Sequence, residues 1–306
     1  LFCPMKVDRL FKGSTISIVW LWLSVFALLP TLLVLIISLL ENDPVNLIRW
    51  KFSLENYQAL LNPIYFKIFW HSFCIAGLCS LICLVLSFPF SYLLARLDSK
   101  YKSLLLFLVI IPFWTSSLIR TYAIISILKA KGLLNTLLLS LGIIHHPLTI
   151  LYTSTAVIIG LVYSLLPFMI LPLYANIEKL ETQFIDAARD LGANSLTILI
   201  RVILPLTLPG IMGGIILVFL PAMSMFYIPD ILGGAKSLLV GNLIQNEFLA
   251  AHNWPLGSAV SVVLTLAMSR HLLLVHTVRP WFRFHQFRAL TVSQSLMSLV
   301  KKKLPI

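Results

Sequence analysis

The sequence is 306 residues long, 59% hydrophobic and only 11% charged, with a formal net charge of +12 at pH 7. An ordinary soluble domain carries roughly 25% charged residues, and one membrane crossing takes about 20 mainly apolar residues, so a soluble globular protein is excluded and several spans fill the chain. The basic residues stand in short clusters between apolar stretches, which is the pattern of topology signals and not of a nucleic-acid surface.

Residues 1–14 read as a cytoplasmic N-terminus, with Met5 a candidate start ahead of Lys6, Arg9 and Lys12. This opening resembles a secretory signal, but the apolar run 15–40 is too long for one and lacks a small-residue cleavage site. It is expected to remain as a span. Further spans are expected over 73–94, 103–128, 154–174 and 206–228, and a sixth over 256–275 is interrupted by Ser269, Arg270 and His271. The fold class is therefore an all-α polytopic membrane protein of about six transmembrane helices. With the N-terminus inside, sixteen Lys and Arg fall on the inner side against six outside, which satisfies the positive-inside rule.

Cys74, Cys79 and Cys83 share one apolar segment and read as small buried side chains, with no disulfide framework or metal site. Pro30, Pro89, Pro112, Pro167, Pro172 and Pro221 punctuate the spans. Membrane helices accommodate such prolines because neighbouring groups satisfy the freed carbonyls.

Arg120 lies within a span near its outer end, where it can snorkel, and reads as a structural or gate-stabilising residue. His145-His146, beside Pro147, lack the further ligands that a metal site needs.

The segment 176–201, NIEKLETQFIDAARDLGANSLTILIR, is a long polar interruption between the fourth and fifth spans. Ile177, Leu180, Phe184, Ala187, Ala188 and Leu191 recur at helical spacing, with charges on the other face. Gly192 is expected to end that helix in a left-handed conformation, and Ser195 to cap the next. The acidic residues Glu178, Glu181, Asp186 and Asp190 on the polar face are a poor match to anionic lipid. They favour a protein partner over a headgroup surface.

Asp186-Ala187-Ala188, Gly192, then Val202, Leu204 and Pro205 resemble the EAA loop of binding-protein-dependent ABC importer permeases, with every spacing kept and only Asp for Glu and Val for Ile as departures. The resemblance implies a cytoplasmic coupling helix that docks on a separate ATPase. Asp186, Ala187, Ala188, Arg189, Gly192, Leu204 and Pro205 are then its coupling residues, none of them catalytic.

The stretches 110–122, 158–174, 220–242 and 253–261 look like permease subunits of spermidine/putrescine importers, and the resemblance covers roughly 15–268. It implies an ATPase homodimer that carries the ATP and Mg, so that no cofactor is bound by this chain. It also implies a second permease of similar fold, a periplasmic substrate-binding protein and an inner-membrane location.

A polyamine is a flexible polycation, so acidic groups and aromatic faces are its chemical complement. Asp230 and Glu247, with Trp114, Tyr163 and Tyr227, are the pathway candidates. An interfacial aromatic belt or ordinary packing is the alternative role for the three rings, and a position facing the binding protein or water is the alternative for the two acids.

Residues 269–306 depart from the family pattern and form the end of the last span and a basic tail. A reading-frame change near Met268 would account for this, and resequencing that returns an unshifted frame would remove that explanation. The alternatives to a polyamine importer are a related importer for another small solute and a non-transporting membrane scaffold. No paired carboxylates, histidine cluster or phosphate-binding loop points to an enzyme.

Overall fold

The computed structural model describes residues 15–43, 47–234 and 237–273. The candidate start at Met5 and the tail from residue 274 lie outside the described residues. Among the described residues six helices are long and apolar enough to cross a membrane: Thr15–Ser38, Pro63–Arg96, Ser117–Ser140, Ser154–Ile177, Ser195–Ser224 and Trp254–Leu273. The described residues fall into two compact units, one holding 15–67 and 243–266, the other 68–242 and 267–273.

In the first unit, α1 (Thr15–Ser38) carries a π-helical stretch at Ser24–Leu28 and buries only Ser38. The Ser38 hydroxyl pairs with that of Tyr57 at 2.8 Å, and the Asn56 amide donates to the carbonyls of Ser38 and Leu40. These bonds fix an antiparallel hairpin, β1 (Leu40–Asp43) and β2 (Leu47–Phe52), at the end of α1. Arg49–Asp43 at 3.7 Å and Lys51–Glu41 at 3.4 Å pair the charges of one hairpin face.

A short α2 (Glu55–Ala59) leads to α3 (Pro63–Arg96), whose first turn is capped by Asn62 and opened by proline. Asn253 likewise caps α11 (Trp254–Leu273), and a Cβ on Gly257 would stand 3.0 Å from the Phe248 ring, which would have to give by a few tenths of an ångström.

The second unit contains most of α3, then α4 (Ser99–Ile110), α5 (Ser117–Leu128), α6 (Leu133–Ser140), α7 (Ser154–Ile177), α8 (Thr182–Asp190) and α9 (Ser195–Ser224). Its core is the α7–α9 contact. A Cβ on Gly210 would stand 2.6 Å from that of Asn176, and one on Gly214 would stand 2.5 Å from the Met169 sulfur. Small residues let two membrane helices approach closely where no hydrophobic drive against lipid exists.

Beyond α9 the chain turns through Pro229–Gly233 into α10 (Val240–Leu249), burying Ile228, Leu232, Leu239 and Val240 completely. Asn242 holds this turn by donating to the Phe226 carbonyl at 2.8 Å.

Within the spans the structure corrects three sequence expectations. The span expected over 103–128 is two helices, α4 and α5, because Pro112 lacks an N–H and the chain passes through a 3-10 turn at Ile111–Trp114 and an extended Thr115. The membrane-length segment is Ser117–Ser140, which also contains Lys129 and Lys131. The span expected to reach residue 228 ends at Ser224, where Met225 turns extended. Of the three cysteines expected to be buried in α3, Cys79 and Cys83 are, and Cys74 is exposed.

Candidate coupling loop and pathway residues

Between α7 and the body of α9 the chain forms the helix α8, a reversal at Gly192 and the first turn of α9. In α8 the buried residue is Ile185, while Asp186, Arg189 and Asp190 are exposed. Gly192 then adopts φ +81, a conformation that costs an L side chain about 1–2 kcal/mol. Its N–H donates to the Arg189 carbonyl at 2.8 Å, and the Ala193 N–H to that of Ala188 at 3.0 Å. This pair of bonds is a Schellman closure, which satisfies carbonyls that the helix end would leave orphaned.

Asn194, not Ser195, caps the following helix: its Oδ1 accepts from the Thr197 N–H at 2.8 Å. The asparagine stands one residue earlier and its extended backbone aims the oxygen correctly. The helix widens to π geometry over Leu199–Ile203 immediately before Pro205, the residue that cannot return an N–H to the preceding turn.

Ile185, Ile198 and Ile203 form one buried cluster, with Phe88, Tyr92, Leu180, Ala188 and Val202 packed on it. A cleft of ≈ 380 Å³ runs between α3 and the loop, lined by Phe88, Tyr92, Arg189 and Ile198 among others. The seat on α3 was not legible as such in the sequence, although Phe88 and Tyr92 stand four residues apart around Pro89.

Leu191, expected on the inward face, is 81% exposed, because the Schellman turn rotates the chain away from the helix before that side chain can reach the cluster. Leu196 is 64% exposed. Asp186 and Arg189 pair with each other at 3.4 Å. The outer side of the loop is thus apolar and polar by turns, with Ala187 half-buried behind it, while within α9, just past its π-helical stretch, Leu204 is partly exposed and Pro205 half-buried.

Glu178, the C-cap of α7, accepts from Lys102 Nζ at 3.0 Å. The Tyr174 hydroxyl and Lys102 hold its carboxyl below the usual carboxylate range.

Four of the five pathway candidates lie in the second unit. Trp114 is 74% exposed and meets Phe107 edge-on, Tyr163 is 48% exposed on α7, and Tyr227 is half-buried against Phe226. Asp230 is exposed at the start of the Pro229–Gly233 turn. Glu247, in the first unit, is half-buried, and burial pushes its carboxyl up. Arg120 is half-buried, and its Nε has no hydrogen-bond partner among the described residues.

Comparison with known proteins places this geometry. Residues 87–282 match the family described as "Binding-protein-dependent transport system inner membrane component". The chain is 52% identical over 263 residues to the spermidine/putrescine transport system permease protein PotB of Haemophilus influenzae, covering 86% of this chain and 92% of that one. It is 51% identical over 252 residues to the Escherichia coli PotB, covering 82% and 92%. Among solved structures, a bacterial alginate ABC transporter bound to its periplasmic protein superposes with a TM-score of 0.71 at 14% identity, over 89% of this chain and 94% of that one. That last likeness speaks to the fold alone.

Proposed function

The chain belongs to the family of binding-protein-dependent transport system inner membrane components, and from that premise we propose that it is a permease subunit of an ATP-driven spermidine/putrescine importer. The carrying observation is half identity along most of the chain to permeases of that name. The coupling loop supports it, since a Schellman-closed helix with exposed Leu191 and Leu196 is suited to docking on another protein.

In this reading the chain is not an enzyme. ATP and magnesium sit on a homodimeric partner ATPase, a second permease completes the path, and a periplasmic binding protein delivers the solute. The N-terminus is cytoplasmic, which puts α8 on the ATPase side. Closure of the ATPase displaces Asp186, Ala187, Ala188, Arg189 and Gly192 as one body, and Leu204-Pro205 carry the motion into α9. The two permeases then rock between inward- and outward-facing states. Trp114, Tyr163 and Tyr227 offer aromatic faces to a polycation, and Asp230 and Glu247 offer charge.

The test is uptake of radiolabelled spermidine and putrescine by cells that lack their own polyamine importer and express this chain with its partner subunits. ATP-dependent entry supports the proposal. An assembled complex that imports neither compound overturns the substrate and leaves an importer of another small solute.

A further inference from the structure

The coupling loop is attached to the rest of its unit in two chemically different ways. One is the apolar seat on α3, where Phe88 and Tyr92 pack on Ile185, Ile198 and Ile203. The other is polar and reaches a different helix. Glu178 lies four residues before α8, and its carboxylate takes Lys102 Nζ, in the first turn of α4, at 3.0 Å across 76 residues of sequence.

We propose that the Lys102–Glu178 pair is a strut that holds α4 to the root of the coupling loop, so that displacement of the loop reaches α4 and, through the break at Ile111–Trp114, α5. Lys102 and Glu178 are positioning residues; neither touches solute or nucleotide. This rests on the reading above, that the loop is moved by an ATPase.

Three observations carry it. First, both ends are held: Glu178 is fixed by its own N–H bond to the Tyr174 carbonyl at 2.8 Å, and Lys102 by its N–H bond to the Asp98 carbonyl at 3.0 Å. Little backbone slack separates the ion pair from either helix. Second, the Lys102 side chain is 20% exposed and that of Glu178 42%, so the pair is half open to water and its role is to set a fixed spacing between two helices more than to add stability. Third, α4 and α5 are each 12 residues long and are separated by a non-helical turn. A push at the first turn of α4 therefore arrives at a joint and not at a stiff rod.

An apolar seat yields by sliding, whereas an ion pair between two helix ends transmits along one line. Loss of the strut should therefore leave the loop seated but disconnect α4 from it.

The experiment uses the complete complex, with both permeases, the ATPase and the binding protein, in proteoliposomes. Lys102→Met, Glu178→Gln and the exchange Lys102→Glu with Glu178→Lys are compared by spermidine imported per ATP hydrolysed and by the stimulation of hydrolysis on adding loaded binding protein. Assembly is checked by co-purification. Each single variant is expected to lower both ratios about fivefold, the lower end of typical coupling between linked sites, and the exchange to restore most of the loss.

Single variants that keep wild-type ratios, or an exchange no better than either single change, overturn the strut. If the wild-type complex imports no spermidine, the substrate reading fails instead, and the strut is still judged on stimulation of hydrolysis by the binding protein. A variant that does not co-purify is replaced by Lys102→Gln, which removes the charge and keeps a polar side chain: a fall in both ratios in that assembled variant supports the strut, and wild-type ratios overturn it.

Discussion

Two glycine-dependent regions of the same unit use that residue for opposite reasons. Between α7 and α9, Gly210 and Gly214 are needed because no space exists: an added Cβ would lie 2.6 Å from the Asn176 Cβ or 2.5 Å from the Met169 sulfur. In the coupling loop, Gly192 has open space around it and is needed because its φ is +81. The helix pair is specified by packing and the loop by backbone conformation. Substitutions should therefore fail differently, the first by loss of the folded subunit and the second by loss of communication.

The largest effect is expected at the helix pair. Gly214→Leu overpacks the α7–α9 contact, which typically costs 1–3 kcal/mol or about that range in a close-packed core. Little assembled subunit should be recovered by size-exclusion of the detergent extract. Normal yield would show that the two helices can part freely.

Next comes Gly192→Val, which adds a β-branched side chain at a left-handed position at a local cost of about 1–2 kcal/mol. It should insert and assemble, while transport per ATP falls. Unchanged transport would erase the distinction between the two regions.

Leu191→Asp sharpens it further, because an exposed side chain should leave thermal stability within about 0.5 kcal/mol of the parent. Binding of the ATPase, measured by co-purification, should weaken.

Asn194→Ala removes the cap bond to Thr197 and should destabilise the second arm of the loop by about 1 kcal/mol. Faster amide exchange over 195–198 is the readout.

The smallest effect concerns pH. The Glu178 carboxyl is held below its usual range, so the bonds it accepts contribute fully above the unfolded carboxyl pKa of about 4.3 and are lost as pH falls through the lower folded value. Stimulation of hydrolysis should therefore be insensitive to Glu178→Gln-type loss of charge by titration between about pH 6 and 8. A sigmoid in that window that vanishes in Glu178→Gln would contradict it.

Membrane residence, helical class and the position of the loop were determined by the sequence alone, because each rests on local chemistry. Apolar length decides a span, and a glycine followed by a capping residue decides a reversal, as Gly192 and Asn194 bear out in geometry. The capping residue itself was misplaced by one position, since Asn194 and Ser195 are chemically equivalent caps until backbone dihedrals separate them.

Only the tertiary structure could decide the rest. Hydropathy reads 103–128 as continuous, and a proline alone does not end a span, since Pro89 stands inside the continuous α3 while Pro112 stands in the break at Ile111–Trp114. Helical periodicity put Leu191 inward and passed over Ile185, because a period assigns a face without showing where the partner surface ends. The Phe88 and Tyr92 seat and the Lys102–Glu178 bond join residues far apart in sequence. Such contacts depend on which helix ends the fold brings together, and a linear pattern of charge and hydropathy carries no record of that.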